Sequence, residues 1–100
     1  MDPEPLVITD APDARRFEAR RAGHLVGFIE YRRVAGRIVL SHTEVPRAFE
    51  GQGIASALAL AVLEGFRSRR ERVAIKCPYL RTYVERHPAL APGGDDLIPE

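Results

Sequence analysis

At Gly51-Gln52-Gly53 the chain changes its period. Before these glycines, three short runs alternate apolar and polar residues. After them, Ile54-Ala55-Ser56-Ala57-Leu58-Ala59-Leu60-Ala61-Val62-Leu63 is rich in Ala and Leu, both strong helix formers. This first half of the helix is apolar nearly all round, which predicts that it is well buried. The chain has 100 residues, enough for one domain. Any site must therefore be assembled from a few short elements on either side of this switch.

Arg15 to Arg21 places Phe17 and Ala19 on one face and Arg16, Glu18 and Arg20 on the other, the mark of a half-buried strand. Ala22-Gly23-His24 reads as a turn, Leu25 to Arg33 as a second strand, Val34-Ala35-Gly36-Arg37 as a second turn, and Ile38 to Val45 as a third strand. Short Gly-containing links between alternating runs predict an antiparallel meander. Pro46 ends the third strand, because proline donates nothing to a ladder. The helix is expected from Ile54 to about Arg69, roughly 24 Å at the rise of an α-helix. Arg67, Arg69 and Arg70 suit the negative end of its dipole. Arg72 to Cys77 is a fourth strand, broken by Pro78, and Tyr79 to Arg86 a short second helix ended by His87-Pro88. The order is βββ-α-β-α, an α/β (α+β) chain in which the third and fourth strands, joined through a helix, run parallel. Residues 1–13 are expected to be a flexible lead-in, 14–90 the domain, and 91–100 a flexible tail.

Charge narrows the function. The 15 basic residues face 14 acids, and 14 of the basic residues are Arg, with Lys76 the single Lys. So near a balance implies no nucleic-acid surface. Cys77 is the only cysteine, which excludes an intrachain disulfide and fits a reducing compartment. No apolar run reaches the ~18–20 residues that span a bilayer, and the N-terminus lacks a secretory pattern. A cytoplasmic protein with no membrane partner and no metal is expected.

The first amides of a helix have no partner within it, and its dipole there favours anions. Glycines just before it let a ligand approach the backbone closely. Gly51-Gln52-Gly53-Ile54-Ala55 therefore predicts a phosphate or pyrophosphate site; a glycine-rich connection without a ligand is the alternative. No Lys-Ser/Thr follows, so this is no Walker loop. Ser56 stands where a dinucleotide fingerprint has its third glycine.

The run Val45-Pro46-Arg47-Ala48-Phe49-Glu50-Gly51-Gln52-Gly53-Ile54-Ala55 resembles the signature of the GNAT superfamily of acyl-CoA-dependent N-acyltransferases: a strand, a Val-x-Pro-like exit, and (Arg/Gln)-x-x-Gly-x-(Gly/Ala) opening a helix. With His42-Thr43-Glu44-Val45, Cys77-Pro78, Tyr83 and His87-Pro88, the chain is similar to the small stand-alone, YjdJ-like subgroup. Ala48 departs from the signature, standing where Arg or Gln is usual. The resemblance implies acetyl-CoA as co-substrate and an amine as acceptor. It implies that Gly51, Gly53 and Ala55 offer backbone amides to the pyrophosphate, with Arg47 and Gln52 as secondary contacts and Glu50, Ile54 and Ser56 completing the loop. It also implies that the parallel strands splay, so that the edge at Thr43–Val45 pairs with the pantetheine arm and an N–H there polarises the thioester carbonyl.

Acetyl transfer needs a neutral amine and a protonated leaving thiolate. His42 and Glu44 share one face of the third strand, and histidine titrates nearest neutrality, which makes His42 the candidate base. A His–Glu pair that merely satisfies the sheet face is the bland reading. Cys77 closes the fourth strand and is a candidate acyl-accepting nucleophile if His42 lowers its pKa; a buried small hydrophobe is the alternative. By resemblance, Tyr83 protonates the coenzyme thiolate, although His87 replaces the glycine of that pattern; packing on the sheet is its other reading. Only a turn separates the first two strands, so the acceptor groove is expected to be open, in favour of a protein or peptide amine. A coenzyme-A-binding module without turnover is the rival function, and monomer and homodimer are both open.

Overall fold

The computed structural model describes residues 4–91. Five strands form one sheet whose spatial order follows the chain: β1 (Leu6–Ala11), β2 (Arg16–Arg21), β3 (His24–Val34), β4 (Arg37–Glu44) and β5 (Val73–Ile75). The first four are antiparallel neighbours, and β5 runs parallel to β4 after a crossover through α1 (Ile54–Arg69). The second helix, α2 (Pro78–Arg86), follows β5. The meander, the helix boundaries and the parallel pair agree with the βββ-α-β-α expectation.

Two expectations change. The segment expected as a loose lead-in contains β1, which pairs with β2 from Leu6↔Arg21 to Ala11↔Arg16. Its prolines and Asp10 read as loop, but Leu6 and Ile8 point inward and pack on the core while Val7 stays outside. The first half of α1 is buried on one face only. Ile54, Leu58, Ala59, Val62, Leu63 and Phe66 are inside, whereas Leu60 is exposed. Residues 1–3 and 92–100, and with them most of the expected tail, lie outside the described residues.

The core gathers on one face of the sheet. Phe17, Ala19, Ile29, Tyr31, Ile38 and Leu40 from the strands join Leu58, Leu63 and Phe66 of α1 and Leu80 and Val84 of α2 in one cluster. Each fully buried large side chain contributes ~1.5–3 kcal/mol. On the opposite face, Arg16 and Arg20 hold the Glu18 carboxylate at 2.8 and 3.0 Å, and those hydrogen bonds lower its pKa. The Arg16 guanidinium also lies 4.6 Å from the Phe28 ring centroid. Further along that face Glu30, His42 and Glu44 are exposed.

Gly27 sets how closely α1 approaches the sheet. A Cβ there would come within 2.9 Å of Ile54 Cγ2, 3.1 Å of Leu58 Cδ1 and 3.3 Å of the Glu44 carbonyl oxygen. Ile54 is β-branched and stiff, so the clash falls on the helix itself. The β2–β3 and β3–β4 hairpins turn through two residues at positive φ, Ala22-Gly23 (51° and 81°) and Ala35-Gly36 (52° and 76°). This is the type I′ geometry that matches strand twist, in which Asn-Gly is favoured over Ala-Gly.

Gly27→Ala should destabilise the fold by ~1–3 kcal/mol, seen as a lower midpoint in urea unfolding. Ala35→Asn should act in the opposite direction, raising Tm by several degrees, on the order of 0.5–1 kcal/mol; an unchanged or lower Tm would contradict the turn assignment.

Candidate active site

The parallel ladder is short for a local reason. Its register covers Ile38↔Val73, Val39↔Ala74 and Leu40↔Ile75. The Leu40 carbonyl then accepts two amides, from Lys76 at 2.9 Å and Cys77 at 3.1 Å. A carbonyl oxygen has two lone pairs, so this one is saturated. The expected strand Arg72–Cys77 accordingly shortens to Val73–Ile75. β4 continues to Glu44, still paired with β3 on its other side, and Ser41 is an extra residue between the pairs Tyr31↔Leu40 and Glu30↔His42. Such a bulge bends its strand. Beyond Leu40 the two strands part, and β4 extends four residues past its parallel partner.

The loop at the open end of this fork leads into α1. Pro46 is extended, Arg47–Phe49 make one 3-10 turn, and Gly51 and Gly53 have φ of 80° and 76°. Ordinary residues pay about 1–2 kcal/mol for that conformation. Nothing lies within 4 Å of where a Cβ would sit at either glycine, so the space before them is open. Gly53 is the N-cap of α1 and no side chain caps it. The amides of Ile54, Ala55 and Ser56 thus point out of the helix without intrahelical acceptors. That fits a pyrophosphate by chemistry and by room. Ile54 can offer only its amide, because its side chain is buried in the core.

A second wall comes from α2. Tyr79, Tyr83 and His87 stack along one helix face, with ring centroids 6.2 and 4.4 Å apart. Together with Ser56, Thr82 and Arg86 they line a cavity of about 220 Å³, so the first turn of α1 and the aromatic ladder share one space. Burial pushes the Tyr79 phenol pKa up, reinforced by Tyr83 and Cys77. The phenol therefore stays protonated at neutral pH and able to donate. The sequence motif points to Tyr83 alone; Tyr79 and Arg86 join it only once the helix is in place. The four-residue spacing of Tyr79, Tyr83 and His87 is the signal that could have found the ladder. His87 also ends α2, as expected.

The remaining candidates separate. His42 and Glu44 lie together on the exposed sheet face, Nε2 to Oε1 3.1 Å. A carboxylate only accepts, so Nε2 is the donor in this contact. Thr43, between them, points to the core face, where the buried Cys77 thiol donates to its Oγ1 at 3.4 Å. The structure thus pairs Cys77 with Thr43, on the other side of the strand from His42. Val45 packs against the core, while Arg47 and Glu50 are exposed beside the loop. The Gln52 side chain is turned to β2, where its Oε1 accepts from Arg21 Nη1 at 2.8 Å. Arg21, remote in sequence, reaches this loop only through the fold.

Comparison with known proteins places this arrangement. The family model for the GCN5-related N-acetyl-transferase matches residues 16–92. Protein NATD1 from Homo sapiens is 40% identical over 86 residues, 84% of this chain and 76% of that protein. Protein NATD1 from Xenopus tropicalis is 35% identical over 91 residues, 88% and 84% of the two chains. Among solved structures, a GCN5-like putative N-acetyltransferase from Staphylococcus aureus superposes with a TM-score of 0.65 at 23% identity, covering 95% of this chain and 90% of that one. A ribosomal-protein-alanine N-acetyltransferase from Brucella melitensis gives 0.55 at 24% identity, covering 71% and 58%. These two likenesses are of fold.

With its thiol buried and bonded, Cys77 should react with an aromatic disulfide reagent at least ~10-fold more slowly in the native protein than after unfolding in urea. Equal rates would mean that the thiol is open to solvent.

Proposed function

The chain belongs to the GCN5-related N-acetyltransferase family, and from that premise we propose that it transfers an acetyl group from acetyl-CoA to an amine. The observation that carries this reading is that β4 runs four residues past its last rung to β5 and leads to the uncapped start of α1. In this reading the amides at Gly51, Gly53 and Ala55 and the first turn of α1 hold the pyrophosphate. Arg47, Glu50, Gln52, Ile54 and Ser56 frame that loop, Gln52 and Ile54 through backbone. The edge of β4 at Thr43–Val45 takes the pantetheine amides as an added strand, and a backbone N–H there supports the negative charge that develops on the thioester oxygen.

His42 Nδ1 removes a proton from the acceptor ammonium, directly or through one water, with Glu44 fixing the ring and supporting its positive charge. The neutral amine forms the new C–N bond in a tetrahedral adduct, the C–S bond breaks as the adduct collapses, and the second amine proton leaves through solvent, which restores the proton that Tyr83 gives up. Tyr83 returns a proton to the departing thiolate, and Tyr79 and His87 hold its ring in place. Direct transfer is favoured over an acyl-Cys77 intermediate because the thiol is buried and donates to Thr43. The exposed face around His42 suits an amine on a protein or peptide. The protein is read as acting in the cytoplasm.

Thiol release from acetyl-CoA should be measured against a panel of small, peptide and protein amines. His42→Ala should lower kcat by ~10²-fold with a far smaller change in acetyl-CoA affinity. Binding of acetyl-CoA without release for any amine would instead favour a coenzyme-A-binding module, and absence of binding would remove both readings.

A further inference from the structure

The far end of the sheet carries a second concavity. β4 enters at Arg37 and reaches the proposed acyl-donor site near Glu44, about 23 Å away at the rise of a strand. At the Arg37 end, a cavity of about 470 Å³ is lined by Pro12, Arg15, Tyr31, Arg32, Arg33 and Val34. Three of these six residues are arginines, all exposed, and none of the six is acidic. Asp10 and Asp13 stand beside the hollow without lining it. The Asp10 carboxylate accepts from the Tyr31 hydroxyl at 2.6 Å and keeps its negative charge, and Asp13 lies in the 3-10 turn Pro12–Ala14, whose side chains are exposed. Three arginines against these two carboxylates leave the hollow with a positive excess.

The backbone at Arg15 sharpens the point. Its φ and ψ are 56° and 47°, in the left-handed region. Its N–H donates to the Pro12 carbonyl at 3.0 Å, and its own carbonyl accepts from Tyr31 N–H at 2.9 Å. The conformation is held by these two bonds, and glycine would adopt it at lower cost. The fold asks for a left-handed residue here, and the guanidinium is an addition to that requirement.

Guanidinium forks match phosphate oxygens in pairs and remain charged at any physiological pH. The hollow is too small for a duplex and large enough for a small molecule. Val34, 48% exposed, and Pro12 give it an apolar wall beside the arginines. We infer that this cavity binds a compact organic phosphate, with at least two phosphate charges on a small apolar body, independently of the acyl-donor site.

The test uses the full chain, labelled with ¹⁵N and titrated separately with inorganic pyrophosphate and with ADP. Saturable, salt-sensitive shifts of the Arg15 and Arg32–Gly36 amides are expected, with ADP the tighter ligand. Arg15→Gly should melt no lower than the natural chain, yet its Arg32–Gly36 amides should report ADP binding about tenfold weaker. Shifts confined to Gly51–Ser56, titrations that do not saturate, or unchanged ADP affinity in Arg15→Gly would each overturn the assignment. So would a single-stranded RNA that displaces ADP and spreads the shifts to Arg37, Arg67 and Arg70, since that would mark a nucleic-acid surface. Loss of this binding would leave the acetyl-CoA shifts at Gly51–Ser56 untouched, so the two readings fail separately.

Discussion

One carbonyl oxygen organises the working end of this molecule. Leu40 accepts from both Lys76 and Cys77, and no further rung can form at that oxygen. Had Lys76 alone taken it, Cys77 would have been free to continue the ladder along β4 toward Glu44. Instead β5 turns into α2, and β4 runs on beside β3 with no ladder on its other edge, toward the loop that leads to α1. The buried side chains beneath this junction, Leu40, Ile75 and Leu80, make the shared acceptor hard to undo. Moving Leu40 to free either amide would open a cavity in the core, at a cost of a few kcal/mol.

The two faces of β4 then divide the chemistry. Thr43 is directed inward and meets Cys77, whereas His42 and Glu44 are directed outward and meet each other. A bulge at Ser41 separates these residues from the regular part of the strand. An extra residue reverses which side chains face the core, so the outward direction of His42 depends on it. The imidazole thus stands at the solvent face and the thiol in the core.

Much of this was legible in the sequence. Alternation at Phe17 and Ala19 disclosed β2, Ala-Gly steps marked both turns, and the Ala/Leu run after Gly53 located α1. Local pattern suffices where an element's identity is decided by its own residues. It missed β1, because Pro5, Asp10 and Pro12 outweighed the short apolar run Leu6-Val7-Ile8, and pairing with β2 decided the matter. It overextended the fourth strand, since the double bond to Leu40 is a long-range event that no window around Lys76 contains. Within the site, the His42–Glu44 pair followed from period two. The Arg21–Gln52 bond and the Cys77–Thr43 contact join residues 31 and 34 positions apart, and such meetings become visible only when the sheet is assembled.

The strand order β1-β2-β3-β4-β5 also bears on how the chain reaches its folded form. The first four strands are joined by short turns, so their pairing requires only local loop closure. The β4–β5 pair must wait for the whole α1 crossover, from Glu44 to Val73, and gains only three register pairs from it. Loop closure over that length carries the larger entropy cost. The meander is thus the natural nucleus, and the fork is completed late. β5 is buried along its whole length, so the pair is locked by the core once it has formed, and a coenzyme that binds only the completed fork would draw the chain toward this last step.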